Sequence, residues 1–355
     1  MKVAIFFDIF AERGGAENIV ILLAKHLNAD IYTTFVDWKN TDEELKKLKI
    51  HQIGLILKNL KILTYNEIAL RFKELDVSDF YDVFLFSRTY CFSAAIKHHP
   101  NIWISTGILE ALYKNFTYSK LNFWQKPIFQ IWRTLYKSFD QNWTKNFDKI
   151  LANSKFTAEE INKIYEREVK VVNHPIETNR FHCKSYENFY LVVSRLVKFK
   201  RIDLIIEAFK EMPDKTLIVV GDGPEKEALK NLVKTCKNIK LLGSISNDNL
   251  IDLYSRCAAT LSMGFNEPFG LIPIESMSSG KPCIASNEGG YLDTILHGRT
   301  GFLIKPTKEE IKKYVKNLTP DLAKTMKKDC IKRAKEFDVK VFIKRVREEI
   351  KELVI

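Results

Sequence analysis

Short apolar, β-branched runs alternate with amphipathic stretches from one end of the chain to the other, and this alternation restricts the fold more than any other feature. The stretches between the runs carry apolar residues at helical spacing, as Ile205 and Phe209 do within Asp203–Met212. Strands that alternate with helices predict βαβ units and therefore parallel sheets. The predicted strands are Lys2–Phe7, Ile31–Phe35, Val83–Ser87, Ile102–Thr106, Lys149–Asn153, Tyr190–Ser194, Leu217–Gly221, Ile239–Leu242, Ala259–Met263, Pro282–Ala285 and Gly301–Ile304.

The length of 355 residues favours two domains, since one domain typically takes about 150 residues. The run Val169–Ile176 is typical of an exit from a first sheet, and the polar stretch Glu177–Asn188 is predicted to be a linker. We therefore predict one domain over residues 1–175 and another over 176–336, with a helix over about 337–355 that returns to the first. Doubly wound sheets of this kind bind ligands at the carboxyl ends of their strands.

The formal net charge is +12, with 56 Lys and Arg residues against 44 Asp and Glu residues. Such an excess favours anionic partners: nucleic acid, phosphorylated small molecules or an acidic membrane face. Because the cations are spread along the chain without a nucleic-acid-reading motif, nucleic acid is not predicted as a partner. No apolar run reaches the ~20 residues of a membrane-spanning helix. The six cysteines are scattered, which favours reduced thiols in the cytoplasm over disulfides or a zinc site.

The segment from Glu267 to Gly280 is the most informative part of the chain. It follows a predicted strand, and a helix is predicted to begin near Gly270 and to end at Gly280. A helix N-terminus beside a glycine can bind an anion, because its unpaired N–H groups and its dipole favour phosphate. Glu267 and Glu275 can then accept hydrogen bonds from sugar hydroxyls on either side. A solvated helix start with two surface glutamates is the alternative interpretation.

Two further loops carry groups suited to a phosphorylated ligand. Arg195 and Lys200 follow the predicted strand that ends at Ser194, and cations at that end of a strand can hold a diphosphate. Gly14 and Gly15 follow the first predicted strand and allow a backbone to approach a ligand closely. A solvated basic loop and a tight turn without a ligand remain the alternatives for these segments.

Several familiar motifs are missing from the sequence. There is no Asp-x-Asp pair to clamp Mg²⁺ or Mn²⁺ on a diphosphate, so we expect neither a metal nor a cofactor. Arg195 and Lys200 would then neutralise the diphosphate in place of a metal. The absence of a Walker A loop, HExxH and GxSxG argues against a P-loop enzyme, a zinc protease and an α/β-hydrolase.

Taken together, these segments resemble family 4 of the retaining glycosyltransferases. That family has the GT-B fold, in which two Rossmann-like domains with parallel sheets face a central cleft. Glu267 and Glu275 match its E-x7-E donor motif, with Phe269, Gly270 and Leu271 between them. The resemblance implies an α/β chain that binds a nucleotide-sugar.

The resemblance covers most of the chain and is densest over residues 151–306. The segment Ser194–Lys200 matches the family's S-R-L-x-x-x-K, and Gly14 and Gly15 match its N-terminal glycine loop. Glu288–Gly290 also fits the family pattern. These details are closest to the mannosyltransferase branch, which builds lipid-linked glycans and surface polysaccharides.

The resemblance also implies a role for each matched residue. Glu267 would contact the transferred sugar, Glu275 the ribose hydroxyls, and Arg195 and Lys200 the diphosphate, while the Gly14–Gly15 loop would also contact the donor. The implied reaction is a metal-independent, retaining transfer of a hexose, with mannose from GDP-mannose favoured, to a glycan or lipid-linked acceptor. The alternatives are a catalytically silent nucleotide-sugar-binding subunit and a phosphorylase-like enzyme with the same fold.

Two positions depart from the family pattern. Ser105 stands about where related enzymes often carry a histidine, and Asp293 stands where the family usually has a glutamate. The first departure puts a histidine contact to the sugar in doubt and leaves room for an unusual donor or acceptor.

The segment Tyr113–Lys137 contains five basic residues, no acidic residue and eight aromatic residues. One interpretation is a basic amphipathic element on an anionic membrane, with Lys126 and Arg133 among its cations, so that a cytoplasmic protein contacts the inner face of the membrane. The other is that the apolar stripe packs into the N-terminal domain. The stripe consists of Leu121, Trp124, Ile128, Ile131 or Trp132, Leu135 and Phe139.

Overall fold

The computed structural model describes residues 1–12, 14–56, 61–114, 122–123 and 125–354, without the side chains of residues 61, 62 and 110. It separates into two units. The first unit is Met1–Asn173 together with Phe342–Ile355, and the second is His174–Val341. Each unit contains one parallel sheet, which confirms the predicted α/β class with two Rossmann-like domains.

The described part of the first unit contains a seven-stranded sheet. Its strands are β1 (Val3–Phe6), β2 (Asp30–Thr33), β3 (Ile50–Gln52), β4 (Val83–Phe86), β5 (Asn101–Ser105), β6 (Lys149–Ala152) and β7 (Lys170–Val171). They lie in the order β3-β2-β1-β4-β5-β6-β7. Every residue of β1 and β4 is buried, as expected for central strands of a parallel sheet with helices on both faces.

Helices pack against this sheet. Within the described residues of the first unit they are α1 (Gly15–Leu27), α2 (Lys61–Glu74), α3 (Glu110–Tyr113), α4 (Gln125–Thr144) and α5 (Lys155–Tyr165). The core beneath them is unusually aromatic. Phe6 makes edge-to-face contacts with Tyr32 and Phe86, at centroid distances of 5.6 Å and 5.0 Å. Such pairs add to the free energy that burial of their area already contributes.

The sheet of the second unit has six strands among the residues described. They are β8 (Phe189–Val193), β9 (Thr216–Val220), β10 (Ile239–Gly243), β11 (Ala259–Ser262), β12 (Cys283–Ser286) and β13 (Gly301–Ile304). Their order is β10-β9-β8-β11-β12-β13. The order reverses between β8 and β11, and in a doubly wound sheet this switch point is where ligands bind.

The helices of the second unit are α6 (Ile202–Lys210), α7 (Lys226–Val233), α8 (Asn247–Arg256), α9 (Leu271–Ser278), α10 (Tyr291–Thr294), α11 (Lys308–Asn317), α12 (Pro320–Thr325) and α13 (Lys327–Lys335). A last helix, α14 (Val339–Val354), begins in the second unit and continues into the first. No helix within the described ranges has the length and apolarity that crossing a bilayer requires.

Two sequence-based expectations differ from the structure. The pattern missed β3 and β7, which are the two edge strands of the first sheet and have only three and two residues. The stretch Glu177–Asn188, predicted to be a linker, is part of the second unit and is hydrogen-bonded to α8. Its Lys184 N–H donates to the Ser255 carbonyl at 2.9 Å, and its Glu187 N–H donates to the Arg256 carbonyl at 2.8 Å. The polar composition of this stretch reflects exposed side chains on a backbone that is held in place.

Candidate functional site

The loops that follow β8, β9, β11 and β12 lie at one edge of the second sheet, because the strands are parallel and adjacent. These loops are held close together. A Cβ on Gly221, after β9, would lie 1.8 Å from the Ser194 carbonyl oxygen after β8. The Phe265 N–H, after β11, donates to the Phe199 carbonyl at 2.8 Å. The edge is therefore a single surface built from several loops.

Lys200 and Glu267 meet at the centre of this edge. The Lys200 ammonium donates to the Glu267 carboxylate, and the side chains are 22% and 19% exposed. The pair is only partly desolvated, so either partner can exchange its contact for one to a ligand. A Cβ at Gly264 would lie 3.1 Å from Glu267 Oε2 and 3.5 Å from Lys200 Cδ. Gly264 therefore leaves room for the two charged side chains to approach each other.

The N-terminus of α9 lies directly after this pair. Gly270 precedes the helix with φ of 88°, which a residue with a Cβ rarely adopts. A Cβ there would also lie 2.6 Å from the ring of Tyr291. The first N–H groups of a helix have no partner inside it, so α9 presents donors next to Glu267 and Lys200. Leu271 begins the helix, and the buried Phe269 packs against the ring of His174 at 5.9 Å.

Gly289 and Gly290 hold the backbone of Glu267 in place. The Gly290 N–H donates to the Glu267 carbonyl at 2.7 Å. A Cβ on Gly290 would lie 2.4 Å from the Phe269 Cα, and Gly289 has φ of 59°. The glycine pair noted in the sequence thus allows a close backbone contact that no larger residue permits.

A second ion pair lies beside the first. Arg201 Nη1 donates to Glu288 Oε2 at 3.0 Å, with both side chains about one quarter exposed. Arg201 has φ of 52° and directly precedes α6, so the loop that carries Lys200 ends in a left-handed residue. This pair joins the loop after β8 to the loop after β12 and supports the position of Lys200.

Arg195 lies on the same loop as Lys200 but differs from it in its contacts. Its side chain is exposed, and no hydrogen bond or ion pair of that side chain is found within the described part of the chain. The structure brings Lys200 and Glu267 together, and it leaves Arg195 as a free cation on the same loop.

Glu275 lies in the middle of α9 and has a different environment from Glu267. Tyr254, a fully buried residue of α8, donates its hydroxyl to Glu275 Oε2 at 2.5 Å. Burial raises the pKa of Glu275 to about 7, although the Tyr254 hydrogen bond and the charge of Arg180 both lower it. This carboxyl group therefore changes its charge near neutral pH.

The predicted glycine loop of the first unit also begins a helix. Gly15 is the first residue of α1 and Gly14 directly precedes it. A Cβ on Gly14 would lie 2.5 Å from Glu17 Oε2, and the Glu17 carboxylate accepts from Arg88 at 2.6 Å. The loop is thus packed around an ion pair of its own unit.

Ser105, which stands where a histidine was expected, is buried and bonded locally. Its hydroxyl donates to the Gly107 carbonyl at 3.2 Å and accepts from the Gly107 N–H at 3.1 Å. These contacts form a tight turn after β5. The hydrogen bonds to Gly107 explain a serine at this position without a contact to a sugar.

The apolar stripe predicted around the segment Tyr113–Lys137 divides between two faces of α4. Trp132 is 8% exposed and packs inward, whereas Ile128, Ile131, Leu135 and Phe139 are each more than half exposed. The packing interpretation is therefore confirmed for Trp132, whereas membrane contact of the exposed residues stays a prediction. Leu121 and Trp124 lie outside the described residues.

Sequence reasoning missed the supporting residues of the site. Tyr254 and Tyr291 carry no local signal, because each reaches its partner only through tertiary packing. Gly264 could not be predicted either, since its role depends on how close the Glu267 and Lys200 side chains come to each other. The ion pair of Arg201 could have been suspected from the run of basic residues that contains Lys200.

Comparison with known proteins shows what the second unit is similar to. Residues 176–337 match the family model described as "Glycosyl transferases group 1". An uncharacterized glycosyltransferase of Methanocaldococcus jannaschii is 27% identical over 217 residues, which is 59% of this chain and 61% of that protein. The human alpha-1,3/1,6-mannosyltransferase ALG2 is 28% identical over 222 residues, which is 50% of this chain and 52% of that protein. The chain thus spans about half to three fifths of these relatives.

Solved structures agree on the fold. Anabaena HepE in complex with UDP and glucose has a TM-score of 0.75 at 19% identity, covering 99% of this chain and 100% of that one. Sucrose-phosphate synthase from Thermosynechococcus elongatus has a TM-score of 0.79 at 17% identity, covering 99% and 98%. These matches confirm the predicted fold, which is that of the GT-B glycosyltransferases.

Proposed function

We propose that this chain, whose residues 176–337 match the glycosyl transferases group 1 model, transfers a hexose from a nucleotide-sugar to a glycan or lipid-linked acceptor. The proposed transfer needs no metal and retains the anomeric configuration. The observation that carries the proposal is the Lys200–Glu267 pair beside the N-terminus of α9. Such a surface offers a cation and helix donors for a phosphate, and a carboxylate for sugar hydroxyls.

The proposed division of roles follows from the environment of each group. Breaking the bond between sugar and diphosphate places negative charge on the leaving phosphate, and Lys200, Arg195 and the first N–H groups of α9 would stabilise it. Lys200 would then shift from Glu267 to phosphate oxygens. Glu267 would accept from hydroxyls of the transferred sugar, and Glu275 from the ribose.

We propose no general base on the protein. In the retaining reaction that the family resemblance implies, the acceptor attacks from the face that the diphosphate leaves. The departing phosphate oxygen takes the proton of the acceptor hydroxyl, so the new glycosidic bond forms as the bond to phosphate breaks. The chain's own residues hold the donor and stabilise the leaving charge.

Mannose from GDP-mannose is our favoured donor, because the similar protein ALG2 is named a mannosyltransferase, and a uridine nucleotide is the rival because HepE was solved with UDP. The test is a transfer assay with GDP-mannose, UDP-glucose and UDP-N-acetylglucosamine in EDTA, with a glycan and a lipid-linked acceptor in parallel. Transfer from one donor that is lost in Glu267→Ala supports the proposal.

Donor binding without donor hydrolysis or transfer in every arm would instead identify a silent binding subunit. Release of a sugar phosphate from an oligosaccharide and inorganic phosphate would identify a phosphorylase-like enzyme. The anomeric configuration of the product, read by NMR, tests retention separately from the identity of the donor.

A further inference from the structure

Two phenylalanine side chains are exposed beside the Lys200–Glu267 pair. Phe199 directly precedes Lys200 and is 38% exposed, and Phe265 lies two residues before Glu267 and is 51% exposed. We call Phe199 and Phe265 the aromatic pair. The hydrogen bond from the Phe265 N–H to the Phe199 carbonyl joins the two loops that carry them. The two rings therefore belong to one surface at the carboxyl edge of the second sheet.

The position of the aromatic pair distinguishes it from ordinary surface residues. Single exposed apolar side chains are common on proteins, so exposure alone does not indicate a site. Within residues 174–341, which the structure describes without a gap, no other Phe or Tyr is as exposed. Both rings lie at the edge where doubly wound sheets bind ligands. Because a phenylalanine side chain is stabilised by burial, two rings left in water at this edge indicate a ligand that covers them.

Each ring of the aromatic pair packs beside a cation of the site. The Lys200 ammonium lies 5.6 Å from the centre of the Phe199 ring. The Arg201 guanidinium lies over the Phe265 ring, 5.1 Å from its centre, and is itself held by its ion pair with Glu288. A cation attracts the face of an aromatic ring. The orientation of Phe265 is therefore set before a ligand binds, which lowers the entropic cost of binding.

The groups around the aromatic pair suit a sugar ring. A pyranose has a face of C–H groups with partial positive charge, and this face packs against the negative face of an aromatic ring. Its hydroxyl groups can donate to carboxylates. Glu267 and Glu288, on the loops after β11 and β12, are 19% and 26% exposed. The surface thus offers both kinds of contact that a sugar ring makes.

We propose that the aromatic pair binds a sugar ring of the acceptor, so that the acceptor presents the end of a glycan. This assignment deepens the proposed function and rests on it for the choice of occupant. In that function, the contacts run from the ribose at Glu275, through phosphate at the N-terminus of α9, to the transferred hexose at Glu267. Phe265 continues this series past the hexose, where the acceptor hydroxyl must approach the anomeric carbon. A nucleobase belongs at the opposite end of the series.

The test is saturation-transfer NMR with the methyl pyranosides of mannose, glucose and galactose, alone and with GDP or UDP, in EDTA. Irradiation of the aromatic protons of wild-type protein should saturate the C–H protons of at least one pyranoside. Phe265→Leu keeps an apolar side chain without the flat ring and should weaken binding of that pyranoside about tenfold. Phe199→Leu should weaken it about fivefold, since this ring is less exposed.

Two control variants separate stacking from a general loss of apolar surface. Phe265→Tyr keeps the ring and should bind the pyranoside within about twofold of the wild type. Leu322→Ala shortens a 41% exposed side chain on α12 and should leave binding unchanged. Because all the substituted side chains are exposed, melting temperatures should remain near that of the wild type.

The proposal is overturned if no pyranoside is saturated, or if Phe265→Leu binds it as tightly as the wild type. It is also overturned if Phe265→Leu weakens GDP or UDP by the same factor, which would make the nucleobase the occupant. Displacement of the pyranoside by a nucleotide-sugar would overturn it as well, since the transferred hexose would then occupy the rings. None of these measurements requires transfer. A chain that binds the pyranoside through Phe265 but transfers no sugar would refute the proposed function alone.

Discussion

The carboxyl edges of the two sheets hold their charged groups in different ways. In the second unit, Lys200–Glu267 is an ion pair with each side chain about one fifth exposed. In the first unit, Asp8 is buried, and its carboxyl accepts from the N–H groups of Tyr90 and Cys91 at 3.1 Å and 2.6 Å. Partly exposed pairs can exchange a partner for a ligand, whereas a buried carboxyl bonded to backbone is part of the scaffold. Similar edges of similar sheets can therefore hold an exchangeable ion pair in one unit and a buried scaffold carboxyl in the other.

The largest expected effect is on turnover. Lys200→Ala should lower kcat by roughly 10²–10³, because it removes a preorganised cation from the leaving phosphate. Single-turnover kinetics in EDTA measures the effect. Lys198→Ala is the matched control, since this 68% exposed lysine of the same loop pairs only with Asp203 in the described structure, and its kcat should stay near that of the wild type. Equal losses in the two variants would contradict a specific role for Lys200.

Substitutions of the two glutamates of the motif should affect different kinetic quantities. Glu267→Ala should lower kcat by roughly 10²-fold with a smaller change in donor affinity, because its proposed contact is with the reacting sugar. Glu275→Ala should weaken donor binding about tenfold with less effect on kcat, because its proposed contact is with the ribose. Donor titrations and steady-state kinetics on both variants separate the two outcomes. The reverse pattern would show that the assignments are exchanged.

A substitution in the first unit should affect stability instead. Asp8→Ala leaves two buried N–H groups without an acceptor, which should cost about 1–3 kcal/mol of the free energy of unfolding. Urea unfolding measures this cost, and donor titration should show an unchanged affinity. Asp8→Asn keeps an acceptor oxygen and should cost less. A loss of donor affinity in Asp8→Asn would break the contrast between the two edges.

The smallest expected effect is a change of donor affinity with pH. Because the pKa of Glu275 is raised to about 7 and its carboxylate is the proposed ribose acceptor, donor affinity should rise as pH increases through 7. The Tyr254 hydrogen bond lowers this pKa, so Tyr254→Phe should move the rise to higher pH. Glu275→Gln should make affinity independent of pH in this window. If Tyr254→Phe lowers donor affinity by the same factor at every pH and does not move the rise, a role for Tyr254 in positioning the carboxylate is contradicted.

The raised pKa of Glu275 also makes the free energy of unfolding depend on pH. The pKa of Glu275 is higher in the folded chain than its ordinary value of 4.5, so the folded state is favoured when the group is protonated. Its contribution is therefore present below about pH 4.5 and is lost as pH rises through 7. Asp8, with its pKa raised to about 6 by burial, acts in the same direction between 3.8 and 6.

The carboxyl edge of the second sheet could be anticipated from the sequence where its geometry is local. Gly270 and Gly280 bracket a helix that the structure places at Leu271–Ser278, because caps depend on residues next to the helix. The meeting of Lys200 and Glu267, 67 positions apart, follows from parallel strands whose loops share one edge. Both features come from rules that act on neighbouring residues or neighbouring strands.

Contacts set by packing between helices could not be anticipated. Tyr254 reaches Glu275 only because α8 lies beside α9, and no spacing in the sequence encodes that neighbour. The hydrophobic pattern also could not predict which face of α4 is buried and which is exposed. Ile131 and Trp132 are adjacent in sequence and about 100° apart on a helix, and only the neighbours of α4 decide which of them is covered.

The most direct test of the account is calorimetric titration of GDP-mannose and of UDP-sugars into the protein in EDTA. We predict saturable binding of one donor without a metal, an affinity at least tenfold lower in Lys200→Ala and in Arg195→Ala, and an unchanged affinity in Lys198→Ala. Binding that appears only when Mg²⁺ or Mn²⁺ is added, or that is equal in all three variants, would contradict the claim that cations of the loop after β8 hold the diphosphate.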